Sequence, residues 1–435
     1  MKTMPLFALA NLILWFGFFA SLAQDMQQKV RLIGDLDTRG DDRTAFFDGD
    51  SAVLAGPNLM LATDGVLTGA ELWRVKALAR FRGARGLAVD KVGNVLVADT
   101  ENHVIRRVGS DGVVTTIAGA IGRSGYRDGQ GSYARFNRPM ALAVDLSSSP
   151  MAGSIFVADC NNHAIRRITP AGVVETVMGA RAESLGIRTG EPGLVNQEQP
   201  SSVSASGPGL RFPEGIALWS TGPASTALPQ IYIADTGNHI LVKLVAISVS
   251  SWQASLYAGS NAPGPPDARR GLANAGPENP PATGPILFAA RFDEPAALQI
   301  DQPPRSGNST PLPVVYVADR GNNLVRRIST PTRLDRVDSI GSFFRPQGLA
   351  LDNRKPASPG TNLGGLFVAE TGAHRLLRLA NPATGTPVAE LVAGLGQGIQ
   401  DGAGASAGFN MPSGLAMLGS DLLVADTGME RLLTM

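Results

Sequence analysis

The stretch VADTENHVIRRV, residues 97–108, decides the fold, because the chain repeats its pattern six times. All four histidines of the chain lie inside these copies. Repetition of one short pattern marks a structural unit that stacks against copies of itself. We call each copy a twelve-mer. The other five are VADCNNHAIRRI (157–168), IADTGNHILVKL (233–244), VADRGNNLVRRI (317–328), VAETGAHRLLRL (368–379) and VADTGMERLLTM (424–435).

Each twelve-mer belongs to a unit of four short segments that we predict to be strands. In the first unit they read GLAVD, NVLVAD, HVIRRV and VVTTIAG, rich in Val, Ile, Leu and Thr and bounded by Gly, Asp or Asn. Four such strands form an antiparallel meander that cannot bury its faces alone, so several must stack, and radial closure hides most edges. The predicted fold is all-β, a six-bladed β-propeller of four-stranded antiparallel blades.

The turn inside the twelve-mer has its own chemistry. Asp99 follows the second strand, and its carboxylate can accept backbone N–H groups across the turn. Glycine replaces Glu101 in four copies, which predicts a positive φ at that place. Asn102, next in line, also tolerates positive φ. The four glycines are Gly237, Gly321, Gly372 and Gly428.

This pattern resembles the NHL repeat. The matching residues are Asp99, Asn102, His103, Ile105 and Arg106, and the resemblance extends over about residues 81–435. It implies four-stranded blades, a six-bladed propeller and, as for many propellers of the family, a role as an interaction platform. The copies also depart from the pattern: Asn323 replaces His, Glu370 replaces Asp, and Met429-Glu430 replaces Asn-His.

The spacing of the copies predicts insertions and an unusual closure. The acids stand at 99, 159, 235, 319, 370 and 426, mostly farther apart than the ~40–45 residues of an ordinary blade. The largest insertions, 180–210, 260–291 and 302–313, are rich in Gly, Pro, Ser and Ala and are expected to be surface loops. The sixth copy ends after its third strand, so the segment 73–80 is the predicted donor of the missing strand.

The N-terminus predicts export. Lys2 precedes an uncharged run, LFALANLILWFGFFA (6–20), followed by small residues, which is the layout of a signal peptide over 1–23. The alternative is an uncleaved membrane anchor over 5–23, at the short edge of spanning a bilayer. Residues 24–72 form an N-terminal segment that could be a degenerate seventh blade, and 73–435 form the propeller. The expected location is secreted or extracytoplasmic, with Asn308 as a glycosylation candidate.

Composition narrows the choice of partners. The net charge is +1 and aromatic content is 6%, so neither a strong field nor a stacking surface favours nucleic acid. Cys160 is the single cysteine, so no intramolecular disulfide can form.

Two sets of repeated residues are candidates for a site. The six turns should form a ring on one face. The acids and histidines of this ring could bind a partner or a metal. They could instead stabilise their own turns, which is the interpretation that the repetition favours. Its members are Asp99, His103, Asp159, His163, Asp235, His239, Asp319, Glu370, His374 and Asp426. Arginine pairs on the third strands are the basic-surface candidates, namely Arg106, Arg107, Arg166, Arg167, Arg326 and Arg327.

The resulting functional hypothesis is a secreted or surface-exposed, non-enzymatic scaffold that binds a protein or glycan. No cofactor is expected. The alternative is a metal-dependent enzyme that uses Ca²⁺ or Zn²⁺ in the central channel and resembles peptidyl-amidoglycolate lyases or lactonase propellers. For the lactonase comparison, the acids that end inner strands, such as Asp90, Asp145, Asp301 and Asp352, are the ligands to consider. No HExxH motif occurs.

Overall fold

Six antiparallel sheets form a ring, as the six repeats predict. The computed structural model describes residues 81–110, 112–179, 203–205, 209–219, 227–260, 286–301, 313–329, 336–352, 354, 365–380, 382, 387–394, 396–398 and 407–435. The signal or anchor segment, residues 24–72, the strand predicted over 73–80 and Asn308 all lie outside these residues, as do most positions of the long insertions.

The first three blades are meanders in which each strand pairs with the next. Blade 1 consists of β1 (Ala84–Val89), β2 (Val95–Asp99), β3 (Val104–Val108) and β4 (Val114–Ala118). Blade 2 consists of β6 (Pro139–Val144), β7 (Ile155–Asp159), β8 (Ala164–Ile168) and β9 (Val173–Met178), with the short β5 (Gly129–Gln130) added on β9. Blade 3 consists of β11 (Pro213–Trp219), β12 (Gln230–Asp235), β13 (Ile240–Ala246) and β14 (Trp252–Ala258), with β10 (Val203–Ala205) added parallel to β14.

The remaining blades follow the same order. Blade 4 consists of β15 (Pro295–Asp301), β16 (Val314–Asp319), β17 (Leu324–Ser329) and β18 (Arg336–Ser342). Blade 5 consists of β19 (Pro346–Asp352), β20 (Gly365–Glu370), β21 (Arg375–Leu379) and β22 (Ala389–Ala393). Blade 6 has three described strands, β23 (Pro412–Leu418), β24 (Asp421–Asp426) and β25 (Arg431–Thr434).

Helical structure within the described ranges is limited to single 3-10 turns. Five of them follow the second strand of a blade, at Thr100–Asn102, Cys160–Asn162, Thr236–Asn238, Thr371–Ala373 and Thr427–Met429. Two others occur at Gly131–Tyr133 and Ile286–Ala289. No helix in this part of the chain is long and apolar enough to cross a membrane.

The ring closes through its innermost strands. β1, β6, β11, β15, β19 and β23 each contact the next, and β23 contacts β1 directly, so no further blade lies between the last and the first. The contacts are very tight: a Cβ on Gly414 would stand 1.6 Å from the Arg85 carbonyl oxygen, and one on Gly348 1.7 Å from that of Ser413. Only glycine allows backbones to approach this closely.

The core lies between blades rather than in one centre. Buried apolar side chains form clusters that each draw on two neighbouring blades, for example Phe136 and Leu142 with Leu96 and Ile105. The stretch DGQGSYARF before blade 2, residues 128–136, supplies Ala134 and Phe136 to this cluster, both with no exposed surface. The blades therefore depend on one another for burial, as stacked repeats do.

Candidate functional site

The repeated acids lie in the turns, on the face that also carries the chain entering each blade. Asp99 Oδ1 accepts the backbone N–H of Arg82, which precedes β1, over 2.7 Å. This bond ties the end of the second strand to the start of the first strand in the same blade. It recurs at 2.6–2.8 Å in the other five blades, in Asp159–Asn137, Asp235–Arg211, Asp319–Asp293, Glu370–Phe344 and Asp426–Asn410.

The second carboxylate oxygen has a side-chain donor in every blade. In blade 2, Asp159 Oδ2 accepts from Asn162 Nδ2 and from Arg166 Nη1, both over 2.8 Å. Blades 1 and 4 share this arrangement, and blade 3, where Val242 replaces the arginine, keeps the Asn238 bond at 2.7 Å.

Blades 5 and 6 lack the asparagine and use an arginine from a different position. Arg375 Nε donates to Glu370, and Arg431 Nε donates to Asp426 Oδ2 over 2.8 Å. These arginines stand five residues after the acid rather than seven. The donor is therefore retained although its place in the sequence changes.

All six acids are almost completely buried, between 0% and 3% exposed. Burial raises the pKa of Asp99, Asp159 and Asp319 to about 6, although hydrogen bonds and the nearby arginines act in the opposite direction.

The histidines connect neighbouring blades. His103 Nδ1 accepts the backbone N–H of Arg138, which enters blade 2, over 3.1 Å. His163, His239 and His374 accept from Phe212, Glu294 and Met411 in the same way, over 3.0–3.1 Å. Because Nδ1 is the acceptor, each ring is neutral with its proton on Nε2. In blade 4 the Oδ1 atom of Asn323 takes the same role, accepting from Arg345 over 2.8 Å.

The positive φ of the turn falls at the histidine position, so the sequence-based prediction of its place was wrong. His103, His163, His239 and His374 have φ between 53° and 59°, as do Asn323 and Glu430 in the other two blades. The glycine two places earlier is required instead by close approach: a Cβ on Gly237 would stand 2.8 Å from the Arg211 carbonyl oxygen.

A threonine adds a second bond across four of the six seams between blades. Thr100 Oγ1 donates to the Pro139 carbonyl over 2.7 Å, and Thr427 Oγ1 donates to the Ala84 carbonyl over 2.7 Å at the seam that closes the ring. Thr236 and Thr371 do the same for Pro295 and Pro412. Cys160 and Arg320 occupy this position in the other two blades.

The arginine pairs divide into a buried and an outer member. Arg106, Arg166 and Arg326 are 0–3% exposed and ion-paired with the acid of their own turn. Arg107 is exposed, whereas Arg167 and Arg327 bond to Glu175 and Asp338 on the neighbouring strand. Only the outer members face the surface of the blades.

The acids that end inner strands bond to their own hairpins. Asp90 accepts from the Val92 and Asn94 backbones, Asp145 from Ser147 and Ser149, and Asp352 from Arg354. Burial raises the pKa of Asp301. Within the described ranges, no three His, Cys, Asp or Glu residues converge as metal ligands would.

The six innermost strands line a central channel with three rings of side chains. The turn-side ring is Arg85, Met140, Glu214, Ala296, Gln347 and Ser413. The middle ring is Leu87, Leu142, Ile216, Leu298, Leu349 and Leu415. The far ring is Val89, Val144, Leu218, Ile300, Leu351 and Met417, around a cavity of about 270 Å³. Sequence analysis predicted a central channel but did not identify these lining residues, because they alternate with core residues along each strand.

Comparison with known proteins agrees with this architecture. The NHL repeat family matches residues 81–107. The bovine (Bos taurus) NHL repeat-containing protein 2 is 27% identical over 371 residues, which cover 78% of this chain and 44% of that protein. The Arabidopsis thaliana protein SUPPRESSOR OF QUENCHING 1, chloroplastic is 27% identical over 357 residues, which cover 78% of this chain and 29% of that protein. The chain thus spans less than half the length of these curated relatives.

Solved structures share the fold at low sequence identity. An auxiliary nutrient binding protein from Bacteroides ovatus superposes with a TM-score of 0.52 and 10% identity, covering 93% of this chain and 75% of that one. The ring of six antiparallel sheets defines the chain as a six-bladed β-propeller. Its repeated turns resemble the NHL repeat, whose family matches residues 81–107.

Proposed function

We propose that the chain is a secreted or surface-exposed interaction scaffold, without enzymatic activity, that binds a protein or glycan partner on the turn face at blades 5 and 6. The observation that carries the proposal is a pair of exposed apolar side chains there. Phe344 is 56% exposed and Met411 is 45% exposed. They flank the turn of blade 5: Phe344 packs on Gly372, and the Met411 backbone bonds to His374.

This pair is particular to blades 5 and 6. The residues that correspond to Phe344 in blades 1 to 4 are polar, namely Arg82, Asn137, Arg211 and Asp293. Apolar side chains exposed together on one face are typical of binding surfaces. The face is otherwise built from one repeated turn. At the position of Met411, blade 3 also has an apolar residue, Phe212, but it is only partly exposed and packs against His163. The exposed apolar pair is therefore confined to one seam, which is unlike a requirement of the fold.

Charged side chains flank the apolar pair. The side chains of Arg345 and Arg375 are 57% and 43% exposed. Aromatic, Met and Arg side chains are enriched at the centre of protein interfaces. The absence of enzymatic activity is supported by the bonding of the turn acids and imidazoles, whose oxygens and Nδ1 atoms are already engaged within the ring.

The test compares the full chain with a Phe344→Ser/Met411→Ser double variant, on a glycan array and by cross-linking to the secreted and surface proteins of the native cell. We expect the double variant to bind the recovered partner roughly thirtyfold more weakly, because truncating an interface anchor costs about 2 kcal/mol. Val92→Ser is the matched control, since Val92 is 80% exposed in the hairpin at the other end of β1. A partner that binds the double variant as tightly as the wild type refutes the surface. Export is tested separately, by N-terminal sequencing of protein from the medium, which should begin at residue 24.

A further inference from the structure

The turn-side ring of the channel contains two charged residues in different situations. Glu214 is engaged: it accepts from Arg320 Nη1 over 2.6 Å and from Arg320 Nη2 over 3.1 Å. Arg320 also bonds to Glu294 over 3.2 Å. Arg85, at the start of β1, has no such partner. Its Nε is buried without a hydrogen bond, and its guanidinium makes no ion pair with any described residue.

Arg85 differs from the fully buried arginines in lacking an ion pair with any described residue. Arg166 and Arg326 are completely buried, and each bonds to the acid of its own turn, whereas Arg85 is only partly buried. Partial removal of a cation from water without an ion pair costs free energy, so such a group is expected to be matched by an opposite charge. Burial lowers the pKa of Arg85, while the charge of Glu214 acts against this without forming a bond.

The residues around Arg85 indicate which kind of ligand would suit this part of the channel. Gln347 lines the same cavity from blade 5, and its amide makes no hydrogen bond to a described residue, so the cavity holds a second donor besides the guanidinium. Just below lies the middle ring of Leu and Ile side chains, each 3–8% exposed to the channel. A group at Arg85 would therefore have hydrogen-bond donors around its head and hydrocarbon beneath it.

We propose that the turn-side mouth of the channel binds a small aliphatic carboxylate, with the carboxylate on Arg85 and Gln347 and the hydrocarbon chain against the leucine ring. The planar guanidinium fork suits a carboxylate, which accepts two parallel N–H bonds. The aliphatic ring selects an apolar chain rather than a second charge. This site lies at the channel and is separate from the surface of blades 5 and 6, and its test is independent of that surface.

The experiment is calorimetric titration of the full chain with acetate, butanoate, hexanoate and, as an uncharged control, hexanol. We expect affinity to rise about fourfold per added methylene between acetate and hexanoate. Arg85→Met should weaken hexanoate binding by roughly 10- to 100-fold, because a charge-assisted hydrogen-bonded pair is lost. Arg85→Lys should fall between the two, and Arg107→Met, at an exposed arginine, should bind as the wild type does.

A thermal melt without ligand distinguishes a ligand-binding role of Arg85 from a structural one. A structural role predicts a lower melting temperature for Arg85→Met, and a ligand-binding role does not. Removal of a partly buried charge that has no ion pair with a described residue should leave the Arg85→Met variant at least as stable as the wild type. A lower melting temperature for Arg85→Met would show that the arginine serves the fold and would overturn the proposal. So would undetectable hexanoate binding, equal binding by Arg85→Met, or equal affinity for acetate and hexanoate. The Phe344→Ser/Met411→Ser variant should still bind hexanoate, so failure of either proposal is distinguishable from failure of the other.

Discussion

Replacement of His103 tests the inter-blade bond that the repeated histidines make. His103 contributes two features: Nδ1 accepts the Arg138 N–H over 3.1 Å, and its backbone has φ of 59°. Three substitutions separate these features. Alanine removes the acceptor and disfavours the left-handed backbone, glycine removes only the acceptor, and asparagine keeps both, as Asn323 does in blade 4.

The expected magnitudes follow from the two features. Loss of a hydrogen bond of this kind costs about 1 kcal/mol. Holding alanine in the left-handed region costs about a further 1–2 kcal/mol, which glycine avoids. We therefore expect the free energy of unfolding to fall by about 2–3 kcal/mol for His103→Ala and about 1 kcal/mol for His103→Gly. His103→Asn should change it by less than about 0.5 kcal/mol.

The same residue predicts a pH dependence. Burial lowers the pKa of His103 below its ordinary value of 6.5. The unfolded chain therefore binds more protons than the folded chain as pH falls through 6.5, and the stability that the neutral ring provides is lost below that value. Asp99, Asp159 and Asp319 have raised pKa values and the opposite slope, so the quantity to compare is the difference between wild type and His103→Asn. The wild type should lose stability relative to the variant between pH 7.5 and 5.

Urea denaturation followed by circular dichroism measures all of these free energies. Two results would refute the reasoning. One is an equal loss for alanine and glycine, since the backbone would then carry no cost. The other is a constant difference between wild type and His103→Asn across pH, since the imidazole would then not titrate on unfolding.

Three further substitutions test the seams, each by denaturation with the same probe. Cys160→Thr should stabilise by about 1 kcal/mol, by supplying the bond to the next blade that Thr100 makes; a variant no more stable than wild type would contradict this. Gly414→Ala should cost more than about 3 kcal/mol, because its Cβ would meet the Arg85 carbonyl at 1.6 Å, whereas Gly125→Ala, with its nearest neighbour at 3.2 Å, is the mild control. Glu430→Asn should stabilise by about 1–2 kcal/mol, and a loss of stability would show that no acceptor is needed at that seam.

The strands and their order could be predicted from the sequence because the pattern of apolar runs and turn residues that defines them recurs around each twelve-mer. GLAVD and NVLVAD show apolar runs with clear boundaries, and both form strands in blade 1. The hydrogen bond that Asp99 accepts across its turn could also be predicted, because aspartate in a turn commonly accepts backbone N–H groups. These features depend on residues close together in the chain.

The role of the histidines could not be predicted in the same way, because their partners are distant in sequence. His103 bonds to Arg138, and His239 to Glu294, across insertions of different length. The lining of the channel was missed for a related reason: Arg85 looks like an ordinary strand residue until six strands are brought together. One signal was available, the replacement of His by Asn323, because few residue types both accept a hydrogen bond and tolerate positive φ.

That replacement also explains why the last blade is the exception. Histidine Nδ1 and asparagine Oδ1 are both bonded to Cγ, so each places an acceptor at the same distance from the backbone. The oxygens of Glu430 are bonded one atom farther out, and this side chain makes no hydrogen bond to a described residue although its φ of 53° matches that of the histidines. Gly83, where blade 1 begins, has φ of 59°, close to the 48–55° of Arg138 and its counterparts, so the donor side of the seam is already in place. An acceptor bonded to Cγ at position 430 would supply the hydrogen bond that the histidines make at the other seams. Thr427 Oγ1, which donates to the Ala84 carbonyl, already bonds across the closing seam.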